Sequence, residues 1–188
     1  VFLLVLLNGY FVASEFALVA VRKTRIDELA RKGNVTAKAL QGALKNLDSY
    51  ISATQLGITL ASLALGWIGE PAIAHFIQPL LTFLPNEAAF FTSHTLSIII
   101  AFSIITFLHI VLGEVAPKSL ALQRAEATAL VIITPLILFT KVFRPFIWVL
   151  NSAGQLVLKG FGLHAPSGHQ LVHSEEEIRM LLSQSALG

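Results

Sequence analysis

The sequence predicts an all-α membrane protein, with three transmembrane helices and amphipathic juxtamembrane helices in each protomer. Three observations carry this. The chain is 55% hydrophobic and 13% charged, whereas a soluble domain is nearer a quarter charged. Its mean hydropathy is +0.74, and the apolar residues fall in long blocks with the charges between them. Three of those blocks reach the ~20 predominantly apolar residues that a crossing helix needs.

The first span covers about 1–21, despite Asn8, Ser14 and Glu15 within it, and is stopped by Arg22, Lys23 and Arg25. It is longer than a signal-peptide core and lacks a cleavage pattern. Because Val1 already stands inside an apolar block, a fragment of a longer chain is expected. Residues 24–46 are polar with apolar positions at helical spacing, which predicts a surface helix or helix pair broken near Gly33-Asn34. The second span, about 51–69, carries no charge until Glu70, and Pro71 is expected to end it. A short interfacial helix is expected over 72–83. The third span, about 94–117, runs into Gly113-Glu-Val-Ala-Pro-Lys118.

A fourth apolar block, 127–160, is interrupted by Pro135, Lys141, Arg144 and Pro145. Lys141, Arg144, Trp148, Asn151, Gln155 and Lys159 recur at helical spacing, the polar stripe of a helix lying at an interface. A re-entrant or surface hairpin broken near Pro135 and Pro145 is therefore expected, in preference to a fourth span. Lys and Arg are plentiful over 22–45, absent over 70–93 and present again after Lys118. The bias of short loops toward cytoplasmic Lys and Arg puts the N-terminus outside and the C-terminus in the cytoplasm. Residues 1–163 are then the transmembrane domain, and 164–188 a linker and the start of a cytosolic region, opened by a helix N-cap at Ser174.

Several chemistries find no support. There is no cysteine, so disulfides and thiolate metal sites are excluded. A net charge of +2 with no basic run gives no footprint for nucleic acid. The histidines show no metal-ligand pairing, there is no nucleophile motif or phosphate loop, and no enzyme is predicted. His109 reads as a buried hydrogen-bonding residue.

Polar residues inside spans are costly and mark cavities or helix contacts. In the second span Ser52, Gln55, Thr59 and Ser62 share one helix face, either as interhelical hydrogen bonds or as the lining of a pathway. Ala53, Gly57, Ala61 and Ala64 form a small-residue strip suited to close helix packing, within or between protomers. In the first span Asn8 and Glu15 are seven residues apart on one face; Ser14 either bonds its own backbone or lines a site. The third span places Glu114 three residues before Pro117. Proline cannot donate to the carbonyl four residues back, so Gly113 is expected to lose its helical partner beside a carboxylate. Hard cations take such oxygens; a plain helix end with an interfacial Glu is the other reading.

The segments Asn8-Gly-Tyr-Phe-Val-Ala-Ser-Glu-Phe-Ala-Leu-Val19, Ser52-Ala-Thr-Gln-Leu-Gly-Ile-Thr-Leu-Ala-Ser-Leu-Ala-Leu-Gly-Trp-Ile-Gly-Glu-Pro71 and Gly113-Glu-Val-Ala-Pro-Lys-Ser119 resemble the transmembrane domain of the CorC/CNNM family, on its bacterial CorC side. The resemblance runs in order over nearly the whole chain. It implies a homodimeric Mg²⁺ transporter or exporter, coupled to Na⁺, with a cytosolic CBS pair that is absent from this chain. It also implies an ion site drawing on Ser14, on Ser52, Thr54 or Gln55, and on Glu114 with Pro117. A Mg²⁺-sensing or scaffold protein that moves no ion itself is the rival expectation.

Overall fold

The computed structural model describes residues 1–81 and 87–162; the expected cytosolic start over 164–188, with its cap at Ser174, lies outside them. The helices are α1 (Phe2–Ala20), α2 (Lys23–Arg31), α3 (Val35–Leu44), α4 (Leu47–Ala64), α5 (Glu70–Leu81), α6 (Glu87–Ile110), α7 (Ala116–Gln123), α8 (Ala125–Val142) and α9 (Arg144–Gly160). Two π-helical turns, Leu65–Gly69 and Val111–Val115, join α4 to α5 and α6 to α7.

α1 is the hub and packs against α4, α7, α8 and the second π-turn. Its contacts set every direction in the bundle. The Phe11 ring fills the space over Gly57, where a Cβ would come within 2.5 Å of it. Asn8 meets Ser62, so α4 runs antiparallel to α1. Asn8 also meets Gly113, Gly9 meets Pro117, and Lys118 Nζ lies 4.6 Å above the Phe16 ring. The α6–α7 rod therefore runs parallel to α1.

α8 returns antiparallel to α1. Arg22 pairs with Glu126 at 2.7 Å, the Tyr10 hydroxyl donates to the Ile132 carbonyl at 3.0 Å, and the Phe11 and Phe139 rings are 4.7 Å apart. α9 then doubles back, bringing Asn151 Oδ1 within 2.6 Å of Ser52 Oγ. The start of α8 and Asn151 thus lie toward the same end of the bundle, the one that carries Arg22 and Arg25.

The surface helix pair forms as its sequence dictates. Gly33 adopts φ +92°, a conformation cheap only for glycine, and Asn34 caps α3 by accepting from the Ala37 N–H at 3.0 Å. Ile26, Ala30, Ala37, Leu40 and Ala43 are buried from this pair in one apolar core with Ala17 and Leu18 of α1 and Ile133 and Leu136 of α8.

Several expectations are corrected. Neither Pro71 nor Pro117 stops its helix: each is the second residue of a continuing segment, α5 or α7. A π-turn shifts the hydrogen-bond ladder by one residue. The proline then falls at the start of a new α-segment, where a missing N–H costs little. The second and third apolar rods are accordingly longer than 51–69 and 94–117, extending over Leu47–Ile77 and Thr95–Gln123. Pro135 does not break the fourth block either. It lies exposed within the uninterrupted α8, where it removes a single ladder bond on an outward face, and the break comes at Phe143. Among the described residues four helices, Phe2–Ala20, Leu47–Ile77, Thr95–Gln123 and Ala125–Val142, are long and apolar enough to cross a membrane.

Val1–Asn151 forms one compact unit; of the second, Ser152–Gly188, the described part is the end of α9 and the turn after it.

Candidate functional site

Polar groups from the first three long rods converge at the second π-turn. Two glycines permit this. A Cβ on Gly9 would meet Pro117 Cγ at 2.9 Å and the Leu112 carbonyl oxygen at 3.0 Å. A Cβ on Gly113 would meet His109 Cδ2 at 2.9 Å and Asn8 Nδ2 at 3.2 Å. With neither present, the α1 backbone lies directly on the turn.

Asn8, only 1% exposed, spends its amide there. Its Nδ2 donates to the Gly113 carbonyl at 2.9 Å, and its Oδ1 accepts from Ser62 Oγ at 3.2 Å. Ser62 Oγ in turn lies 3.4 Å from His109 Nε2. Leaving a buried amide unsatisfied would cost ~1–3 kcal/mol per group. Among the described residues no buried side-chain nitrogen or oxygen lacks a partner.

The structure divides the residues singled out from sequence into three sets. Asn8, Ser62 and Gly113 come together, and the Gly113 carbonyl that Pro117 was expected to free is held by Asn8. Closer to the Arg22 end are Ser14, fully buried and donating to the Tyr10 carbonyl at 2.7 Å, and Thr54, also buried and donating to the Ile51 carbonyl at 2.7 Å. Ser52 lies there too, between Asn151 and the Asp48 carbonyl, and Glu15 is half-buried. The third set faces outward: Glu114, Gln55 and Thr59 are exposed, with Thr59 donating to the Gln55 carbonyl at 2.8 Å.

The polar face of the second span is thus split, its ends turned to Asn8 and Asn151 and its middle outward. The small-residue strip packs inside the protomer, with Ala53, Gly57 and Ala61 all buried.

Sequence reasoning missed Gly9, Tyr10 and Asn151 as partners. Gly9 had a signal, since it follows a buried Asn directly. His109 precedes Gly113 by four residues and so shares its face. Around Asn8 the structure gathers neutral oxygens and the His109 nitrogen, with the Glu114 carboxylate exposed on the outward side of the turn. No group of three or more His, Cys, Asp or Glu is placed to hold a metal among the described residues. Oxygens such as these are the donors that hard cations take in preference to soft ones.

Residues 1–187 match the family described as the cyclin M transmembrane N-terminal domain. The chain is 47% identical over 182 residues to the UPF0053 protein YhdP of Bacillus subtilis, covering 97% of this chain and 40% of that protein. It is 49% identical over 182 residues to YhdT of the same organism, covering 97% and 39%. To the UPF0053 protein sll0260 of Synechocystis it is 33% identical over 186 residues, covering 99% and 41%. The chain spans about two fifths of the length of these curated relatives. By these matches, the chain belongs to the CNNM transmembrane domain family, whose bacterial relatives here are UPF0053 proteins.

Proposed function

We propose that this domain moves Mg²⁺ across a cell membrane through an intramembrane site built around the second π-turn. Membership of the CNNM family supports a multi-pass membrane domain related to Mg²⁺ transport, and the family is of transporter rather than enzyme type. The observation that carries the reading is the turn itself: a helix interrupted at Gly113-Glu114, its Gly113 carbonyl held by Asn8 of the first rod, which is in turn bonded by Ser62 of the second. Asn8 precedes Arg22 by fourteen residues, roughly 21 Å of helix at ~1.5 Å per residue. With Arg22 at the interface, the turn falls well inside a hydrocarbon layer ~30 Å thick.

A carboxylate at that depth costs at least ~2.5–3.5 kcal/mol, and a bound divalent cation offsets that cost. Glu114 supplies the charge. Ser14, Ser52, Thr54, Gln55 and the Gly113 carbonyl are the candidates that complete an oxygen shell after the helices rearrange. Na⁺ is the coupling ion this reading implies, with Asn8, Glu15, Thr59 and Ser62 as candidates for its path.

In this reading α1, α4 and α6–α7 cross, and α8–α9 is a re-entrant hairpin. It enters from the Arg22 end, reaches the level of Phe11 and returns. The N-terminus is outside and the cationic end cytoplasmic. Single cysteines replacing Lys38 and His164 are expected to label from one side and one replacing Asn86 from the other. Labelling of His164→Cys together with Asn86→Cys would establish a fourth crossing.

A homodimer is part of this reading, and the outer face of α4 and of the turn after it supports it. Gln55 and Thr59 are exposed there in one row with Leu63 and Trp67, which are 67% and 85% exposed. An amide facing lipid is costly, and a second protomer covers it.

The decisive experiment is Mg²⁺ flux into dye-loaded liposomes containing the purified protein alone. Flux is the expected result. Mg²⁺ binding without flux would favour a sensing or scaffold role.

A further inference from the structure

The hydrogen bonds around Asn8 have a fixed direction, and that direction assigns a proton no diffraction density would show. The Gly113 carbonyl can only accept, so the Asn8 group facing it at 2.9 Å is the amide N–H. Asn8 therefore presents its carbonyl oxygen to Ser62, 3.2 Å away, and Ser62 spends its one hydroxyl proton on it. The Ser62 oxygen is left with lone pairs toward His109 Nε2 at 3.4 Å, a contact that becomes a hydrogen bond when that nitrogen carries the hydrogen, and this is the tautomer the inference takes. The relay runs one way: His109 Nε2–H to Ser62, Ser62 to the Asn8 carbonyl, the Asn8 N–H to Gly113.

We infer that Asn8 is a positioning residue for the cation site: oriented by His109 through Ser62, its amide fixes the Gly113 carbonyl and thereby the π-turn that carries Glu114. Each part has a physical reason. A π-turn replaces i→i+4 bonds by i→i+5 bonds and so slips the ladder by one residue, and a side-chain donor on one carbonyl holds the turn in a single arrangement. An asparagine amide can flip, exchanging donor for acceptor at little steric cost; here a donor at Ser62 forbids the flip. Ser62 could rotate its proton elsewhere, and a donor at His109 forbids that in turn. Glycine at 113 leaves room for both side chains to touch the turn. This inference deepens the Mg²⁺ reading and rests on it for the role of the turn, though the relay itself does not.

Two measurements separate the parts. In the chain labelled with ¹⁵N-histidine and placed in lipid nanodiscs, the His109 ring is expected to show Nε2 protonated. A neutral ring carrying its proton on Nδ1 would overturn the relay, whatever ion the protein moves. The second measurement is Mg²⁺ affinity by calorimetry. Asn8→Leu keeps the branching of the side chain, at a somewhat larger volume, and removes both hydrogen bonds, and at least a tenfold loss is expected. His109→Leu is expected to lose several-fold. His109→Gln, whose side-chain N–H can stand where Nε2–H stood, is expected to recover affinity to within threefold of wild type. A purely space-filling role for the ring would not distinguish Gln from Leu in that order. Unchanged affinity in Asn8→Leu, or His109→Gln no better than His109→Leu, overturns the positioning role. Should Asn8→Leu fail to fold, the two His109 variants and the ring spectrum still decide. A wild-type protein that binds no Mg²⁺ overturns the reading of the cation site and the positioning role with it, while the ring spectrum continues to test the relay.

Discussion

The two π-turns are made from similar sequence and do different things. Leu65–Gly69 is followed at once by Glu70 and Pro71; Val111–Val115 contains Glu114 and is followed by Ala116 and Pro117. Each has a Gly-Glu pair and a proline at the second position of the next helix. The first is held by apolar contact. Leu65 is buried with Val5 and Ile105, Gly69 lies against Ile105, and Trp67 and Ile68 point outward at 85% and 61% exposure. The second has a buried asparagine on its carbonyl and a histidine within reach. A ladder slip alone is therefore only a change of helix phase. It becomes a candidate binding element when a neighbouring helix supplies polar groups to the backbone it disturbs.

The largest effect should separate the two carboxylates. Glu114→Gln keeps the shape and removes the charge, and on the proposed function its Mg²⁺ affinity should fall on the order of 100-fold, about 2.8 kcal/mol. Glu70→Gln should leave affinity within about twofold of wild type. Wild-type calorimetry in Glu114→Gln would end the assignment.

Next comes the fit of the glycines. Gly9→Ala forces a methyl against Pro117 and the Leu112 carbonyl, an overpacking expected to cost ~1–3 kcal/mol, visible as a lowered melting temperature in detergent. At Gly66, in the first turn, a Cβ would meet nothing within 4 Å. There Ala should change stability by less than about 1 kcal/mol, toward the stable side because glycine is the poorer helix former. Equal losses at the two sites would show that the second turn is no more tightly fitted than the first.

A third test concerns the outward face. If the first turn serves contact between protomers, Trp67→Arg should shift native mass spectra from dimer toward monomer while leaving the Asn8–Gly113 region folded. A dimer that persists would place the contact elsewhere.

How much of this could be read from sequence differs between the elements. The surface pair α2–α3 was legible because Gly33 and Asn34 act through local backbone chemistry. The apolar rods were legible because hydropathy needs no partner. The π-turns were not. A Pro after a Gly-Glu pair has the local signature of a helix end, and the slips that accommodate it lie against distant residues: Val5 and Ile105 at the first turn, and Asn8 and Gly9, more than one hundred positions away, at the second. Pro135 misled for a related reason, since packing of Ile132, Ile133 and Leu136 on the opposite side of α8 outweighs one lost ladder bond. Among the site residues, Asn8, Ser62 and Gly113 were named from sequence as separate candidates. Their meeting could not be, because it depends on how α4 and α6 lie against α1.

A π-turn contains one residue more than the α-helical turn it replaces, so each of these turns amounts to a single-residue insertion that the helix has absorbed. Beyond it, every side chain is rotated by about 100° from where an unbroken helix would aim it. Deleting one residue, Leu112 for the second turn, would be expected to restore an ordinary helix. It would also swing Lys118 and Ala121 away from the partners they meet in α1 and its neighbours. An alignment gap in this stretch would therefore report a change of helix phase in a relative, and with it a different set of residues aimed at Asn8.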